Sequence, residues 1–176
     1  MLNKNKKLLI DMDGTLAVWQ KDKTLEEVST KGYFSSLPAM QNVVDAVKHI
    51  IHNEKNIDVY ILSSVLLDGH SVDDKKIWLK KYLPDILTNA LFVPYGHSKA
   101  KYIKDFFSLN EGIEPNYFLL DDLTLNLNDW EAFGGTGIKI YNGINGTKGT
   151  WTGFSIHSSM CPNKLKAQLI GIINQF

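Results

Sequence analysis

The chain is short of cysteine, proline, net charge and long apolar runs, and each shortage removes a class of protein. Its one cysteine, Cys161, cannot form an internal disulfide and falls far short of a zinc cluster, so a reducing compartment is the expected setting and Cys161 carries no expected chemistry. Five prolines in 176 residues leave no room for a proline-rich linker or tail. Nineteen Lys plus Arg balance nineteen Asp plus Glu, so no global field draws in nucleic acid or an acidic membrane, and a polyanionic partner would need a local patch. The apolar run that follows Lys4, Lys6 and Lys7 is only Leu8, Leu9 and Ile10 before Asp11 interrupts it. That is too short for a signal-peptide core or a membrane span. The expectation is a cytoplasmic chain without membrane or nucleic-acid partners; homodimerisation is left open.

What is present suits a single domain over 1–176. The chain is 44% apolar, enough to bury a core without metal or disulfide staples. Five short runs rich in Ile, Leu, Val and aromatics, at 8–10, 59–62, 90–93, 117–120 and 138–141, read as strands covered on both faces. Between them Met40, Val43, Val44, Val47, Ile50 and Ile51 fall at helical spacing. Further helices are expected from Ser71 to about Leu83, from near Ser98, over 125–133 and after Pro162. Alternation at this spacing predicts an α/β fold with a doubly wound parallel sheet. Two segments break the rhythm: the polar stretch 16–38, and 142–163 with Gly143, Gly146, Gly149 and Gly153. Long irregular connections of this kind serve either as binding loops or as surface decoration.

In an open parallel sheet, ligands bind beyond the carboxyl ends of the strands. The residues that follow the expected strands are Asp11, Asp13, Gly14 and Thr15; Ser63 and Ser64; Gly96, His97, Ser98 and Lys99; and Asp121 and Asp122. An Asp pair at a strand end can simply cap a helix, and one lysine after a loop is usually surface; the conjunction in this order is what carries meaning. Four converging carboxylates repel one another unless a cation intervenes, and hard oxygen ligands that leave room for phosphate oxygens suit Mg2+. Asp11 is then a candidate carboxylate nucleophile. Asp13, two residues on, can protonate a leaving group and afterwards activate water. Ser63 and Lys99 can hold phosphoryl oxygens.

Asp11-Met12-Asp13-Gly14-Thr15, Ser63, Lys99 and Asp121-Asp122 resemble, in order, the four motifs of the haloacid dehalogenase-like (HAD) phosphohydrolases, over residues 7 to 142. The resemblance implies a Rossmann-like core with a small cap inserted after the first strand, and an aspartyl-phosphate mechanism. Asp11 would be nucleophile and metal ligand, Asp13 the acid/base with its backbone carbonyl on magnesium, and Ser63 and Lys99 the phosphate ligands. Asp121 and Asp122 would complete the metal site, with the direct ligand of the two left open. An acidic residue at Asp13 favours phosphatase over dehalogenase chemistry. Residues 11–19, the hydroxyls of Ser63 and Ser64, the segment 77–82 and Leu120-Asp121-Asp122 are similar to the 5'(3')-deoxyribonucleotidases. That likeness implies a nucleoside monophosphate substrate bound through Thr15, Ser63, Ser64 and Lys99, with Trp19 stacking on the base; the alternative for Trp19 is burial in the cap hinge. Tyr33 and Phe34 read as core packing or as part of the same wall.

Two features depart from that subfamily. Only 16–39 is left for a cap, and His97-Ser98 stands before Lys99; His97 reads as a solvent-facing loop residue rather than a phosphate ligand. The glycine-rich segment 142–153 is expected to compensate for the short cap by bringing Asn145, Lys148 or Trp151 toward the substrate. The pairs Lys75-Lys76 and Lys80-Lys81 read as the solvated face of a helix. Competing readings are the same phosphatase acting on a sugar phosphate or a nucleic-acid 3'-phosphate end, and a catalytically silent module that keeps the fold. Balanced charge disfavours the nucleic-acid end, and retention of both motif I aspartates, Lys99 and Asp121-Asp122 disfavours the silent module.

Overall fold

A computed structural model describes residues 5–145 and 150–176. Six parallel strands form one sheet: β1 (Lys6–Ile10), β2 (Ile57–Val65), β3 (Ala90–Pro94), β4 (Tyr117–Asp121), β5 (Thr136–Tyr141) and β6 (Phe154–His157). Their spatial order is β3-β2-β1-β4-β5-β6. The helices are α1 (Leu25–Val28), α2 (Tyr33–Ser36), α3 (Gln41–Asn53), α4 (Ser71–Tyr82), α5 (Lys99–Phe106), α6 (Thr124–Ala132) and α7 (Pro162–Ile173), with a 3-10 turn over Pro84–Asn89. This is the doubly wound α/β architecture expected from the alternation of strands and helices. Among the described residues, no helix is long and apolar enough to cross a membrane.

The strands are apolar because both sheet faces are covered. Leu8 and Ile10 point into a core shared with α3, α4 and α7, through Val43, Val47, Trp78, Leu165 and Leu169. Leu9 points to the other face, where Ile103, Leu127 and Trp130 of α5 and α6 meet it. Strand alternation thus lets β1 serve two cores at once.

The sixth strand is the one the sequence pattern misses. It lies inside the segment expected to be irregular and pairs parallel to β5, Ile138 opposite Phe154 and Ile140 opposite Ile156. It is an edge strand in which only Ile156 is fully buried, so it has no continuous apolar run to betray it.

The order of the strands places the site. From β1 the chain builds outward through β2 and β3, then returns to lay β4 on the other side of β1. The connections leaving β1 and β4 therefore diverge to opposite sides and open a crevice at their carboxyl ends, the usual ligand position in such sheets. Ile10 is paired with both Ile61 and Leu120, so Asp11 and Asp121 leave the sheet side by side.

Candidate active site

The segment after β1 is a tight turn in which Met12 O accepts the backbone N–H groups of Thr15, Leu16 and Ala17 at 3.2, 2.8 and 2.8 Å. Gly14 sits in the left-handed region at φ 81°, and a Cβ there would overlap the Asp122 carboxylate. Glycine is needed twice over, for the turn and for the approach of Asp122. The turn aims Asp11 into the crevice, where the residue is only 6% exposed.

Asp121 ends β4 and Asp122 follows it; both are buried. Oxygens of Asp11, Asp121 and Asp122 lie within 4.8 Å of one another. Lys99, the first residue of α5, reaches across to them: its Nζ donates to Asp11 Oδ1 and Asp121 Oδ2, each at 2.7 Å. Its helix starts there because the Ser98 side chain caps it, accepting from Lys101 N at 2.9 Å, while Ser98 Oγ donates to Asp129 of α6 at 2.7 Å. Burial pulls the Lys99 ammonium down, but Asp11 and Asp121 more than offset this and hold it protonated, raised above its ordinary value.

One ammonium does not balance three buried carboxylates. Desolvation drives Asp11 up to about 7 even beside Lys99, with Asp121 and Asp13 adding to the rise. Asp122 is pushed up to about 8, first by burial and then by the fields of Asp11 and Asp121. The two members of the Asp121-Asp122 pair differ in their bonding. Asp121 is fully used: Oδ1 accepts from Leu123 N at 2.7 Å, and Oδ2 accepts from Lys99 and from Asn126 Nδ2 at 2.9 Å. Asp122 Oδ2 accepts from Asn142 Nδ2 at 3.0 Å and from Asn145 Nδ2. Asp122 Oδ1 is buried with no hydrogen-bond partner among the described residues. An orphaned carboxylate oxygen beside two further carboxylates fits a hard divalent cation.

The remaining expected residues are dispersed around this centre. Ser63 is fully buried and its Oγ accepts from Lys75 Nζ at 2.8 Å. Ser64 takes part through its backbone carbonyl, which accepts from Lys75 at 2.7 Å; pleating sends the two side chains to opposite faces of β2. Thr15 is buried with its Oγ1 unpartnered. Trp19 is partly buried against the core and meets Tyr33 edge-on, ring centroids 6.3 Å apart. Phe34 is core, and His97 is exposed. Cys161 is exposed ahead of α7.

Two expectations are corrected. Lys75 does not belong to a solvated face: it is fully buried, and its Nζ donates to Asp13 Oδ2 at 2.5 Å. Only Lys76, Lys80 and Lys81 face solvent. Trp151 is not turned toward the substrate side; it packs over Gly137 and Gly153 and donates from Nε1 to Phe154 O at 2.9 Å. Of the other residues proposed from that segment, Asn145 does reach Asp122, and Lys148 lies outside the described residues.

Site residues that sequence reasoning missed are Lys75, Lys139, Asn126 and Asn142. Lys139 of β5 is buried, and its Nζ donates to Asp122 O and to Thr124 Oγ1, the latter at 3.0 Å; burial pulls its pKa down. Asn142 also donates to Gly14 O at 2.6 Å, tying the turn after β1 to the end of β5. A charged residue inside the apolar run 138–141 was the one available signal, and it pointed to Lys139.

The segment 16–39, between the turn after β1 and α3, is strapped down. Its stem pairs Ala17 with Ala39. Gly32 N donates to Asp74 at 2.7 Å, Trp78 Nε1 donates to Leu37 O at 2.8 Å, and His70 Nε2 lies 2.8 Å from Ser29 O. All three partners come from α4 or the residue before it.

No family model and no curated protein matches the chain in sequence. Solved structures do match in fold. A D,D-heptose 1,7-bisphosphate phosphatase from B. bronchiseptica, complexed with magnesium and phosphate, superposes with a TM-score of 0.63 at 10% identity, covering 97% of this chain and 99% of that one. The corresponding phosphatase from Burkholderia thailandensis gives 0.58 at 13% identity, with 95% and 98% covered. A HAD-superfamily hydrolase from Ehrlichia chaffeensis gives 0.55 at 9% identity, with 99% and 98% covered. At these identities the shared property is the fold, and it extends over nearly the whole of this chain.

Proposed function

We propose that the chain is a magnesium-dependent phosphomonoesterase working through an aspartyl-phosphate. The observation that carries this reading is the gathering of Asp11, Asp121 and Asp122 at the sheet's switch point, with Lys99 bridging two of them. Lys99 occupies Asp11 Oδ1 and leaves Oδ2 for attack on phosphorus. As the new P–O bond forms, the ester P–O bond breaks, its electron pair leaves with the ester oxygen, and Asp13 delivers a proton to that oxygen. Asp13, now a carboxylate, takes a proton from water as the water oxygen attacks phosphorus. The bond to Asp11 breaks, releasing inorganic phosphate and restoring both aspartates. Ser63 and Lys99 hold the nonbridging oxygens in this scheme, and Thr15 Oγ1, buried in the turn and without a partner among the described residues, is a further donor.

The cation would be held by Asp11, the Asp13 backbone carbonyl and Asp122, and when bound it offsets charge on the phosphoryl oxygens. Asp122 is favoured over Asp121 as the direct ligand because Asp122 Oδ1 has no other partner, whereas both oxygens of Asp121 are engaged. Asp121 then acts by orienting Lys99.

For the substrate we propose a small phosphorylated metabolite, with a nucleoside monophosphate first. Supporting this is the Trp19–Tyr33 aromatic pair supplied by 16–39, which we take as a reduced cap whose exposed edges can flank a base. A sugar phosphate is the second reading, favoured by the likeness to heptose bisphosphate phosphatases that this chain covers almost completely. The test is phosphate release across deoxy- and ribonucleoside monophosphates, sugar phosphates and a 3'-phosphorylated oligonucleotide. Preference for nucleotides that is lost in Trp19→Ala supports the first reading; preference for sugar phosphates establishes the second; no release with Mg2+ from any of them refutes the phosphatase.

A further inference from the structure

We propose that Lys75 is a positioning residue for proton transfer, fixing which oxygen of Asp13 does the chemistry. The inference rests on the phosphatase reading above and concerns a residue outside the four motifs. Lys75 lies on α4, one turn into the helix, with no exposed surface. Its three donors are all engaged: Asp13 Oδ2 at 2.5 Å, Ser63 Oγ at 2.8 Å and Ser64 O at 2.7 Å. The ring of Phe34 closes the remaining side, its centroid 4.6 Å from Nζ. An ammonium so fully coordinated has no donor left for substrate.

The consequence falls on Asp13. Its carboxylate is part-exposed, 21% at the side chain, and without an anchor it would sample several rotamers at the mouth of the site. Lys75 takes Oδ2, and no described residue bonds Oδ1, so Oδ1 is the oxygen left to carry a proton to the leaving group. Proton transfer is effective only when donor and acceptor are held within hydrogen-bond reach. The same ammonium orients Ser63 with its hydroxyl hydrogen free, since Oγ acts there as acceptor. Phe34 and the bond from Gly32 N to Asp74, the neighbour of Lys75, make the insertion 16–39 part of the support. Lys75 thus joins the acid/base, the strand end and the insertion in one network.

The experiment compares Lys75→Met with wild type on two esters in saturating Mg2+: an aryl phosphate, whose phenolate leaves without a proton, and an alkyl phosphate, whose alkoxide does not. kcat/KM reports the steps up to leaving-group departure. The expected result is a loss on the order of 10²-fold on the alkyl ester and under about tenfold on the aryl ester. In the Asp13→Asn background, where there is no proton to position, adding Lys75→Met should cost less than about threefold. If the single variant folds poorly, the comparison within the Asp13→Asn background still decides, because that substitution removes the charge that Lys75 balances, and a loss well above about threefold there overturns the positioning role. Equal loss on both esters, no loss on either, or an undiminished Lys75→Met effect in the Asp13→Asn background overturns the positioning role while leaving the phosphatase intact. A wild type that hydrolyses neither ester overturns the phosphatase reading and this inference with it.

Discussion

The sharpest physical prediction concerns Asp122→Asn in metal-free protein. Asp122 ionises near 3.8 when exposed and near 8 in the fold, chiefly through burial and then through Asp11 and Asp121. A carboxyl whose proton affinity rises on folding makes the folded state hold the extra proton, so stability falls as pH climbs from the unfolded value to the folded one. Below about pH 4 the group contributes no penalty; above about 8 the penalty is complete. At ~1.4 kcal/mol per tenfold change in proton affinity, the charged form costs on the order of 5 kcal/mol at pH 8.5 and about 1 at pH 4.5. Asp11, raised to about 7, adds a penalty over the same window that is not independent of this one. Asparagine keeps the shape and can still accept from Asn142 through its amide oxygen, but it carries no charge. In excess chelator, Asp122→Asn should therefore be more stable than wild type, with a gap that widens toward high pH and reaches roughly 10 °C in Tm at pH 8.5. Saturating Mg2+ should narrow the gap at pH 8.5, stabilising wild type by about 3 kcal/mol at a hundredfold excess over Kd and the variant by much less. Thermal melts at pH 4.5 and 8.5, with and without cation, read all four corners. A gap that does not widen with pH, or a variant that is less stable at pH 8.5 without metal, would refute the reasoning.

Other expectations follow from the same geometry. Asp13→Asn should lower turnover by about 10²–10⁴-fold while keeping affinity for a phosphate analogue; near-normal hydrolysis would remove Asp13 from proton transfer. Chelating divalent cations should abolish phosphate release and Mg2+ should restore it, and activity that persists in excess chelator would remove the metal from the mechanism. Gly14→Ala should cost stability of roughly 1–3 kcal/mol from the left-handed backbone alone, and should also displace Asp122 from the new Cβ; unchanged Mg2+ affinity in a calorimetric titration would contradict that close approach.

Much of the fold was legible in the chain, and for a definite reason. Strands covered on both faces must be apolar along their length, so β1, β2, β4 and β5 announce themselves as runs such as Leu8-Leu9-Ile10 and Phe118-Leu119-Leu120. The two edge strands, β3 and β6, each have one fully buried residue; β3 is still legible because Ala90-Leu91-Phe92-Val93 is continuous, whereas Phe154-Ser155-Ile156-His157 alternates apolar with polar and leaves no run to read. Asp11, Asp13, Ser63, Lys99, Asp121 and Asp122 were legible because each lies near the carboxyl end of a strand, just beyond it, or at the start of the next helix, and polar groups at those points sit at the ligand-binding edge of such a sheet.

Lys75 was illegible for the complementary reason. In a helix carrying Lys75, Lys76, Lys80 and Lys81, composition says only that lysine is usually solvated. Which of the four is buried depends on where α4 lands, and the carboxylate that makes burial tolerable, Asp13, lies 62 positions earlier in the chain. Asn126 and Asn142 were hidden in the same way, since an uncharged amide acquires meaning only beside the acceptor it serves. The sequence by itself determined the alternation of strands and helices and the acidic edge, because these rest on local periodicity and on residues that flank their own strands. The tertiary structure alone decided that, among the described residues, Asp122 has a free oxygen while Asp121 has none, and that one lysine among four is buried on Asp13. The first depends on Lys99, Asn142 and Asn145 reaching the end of β4, and the second on α4 landing against the turn after β1, and neither meeting is written in the local sequence.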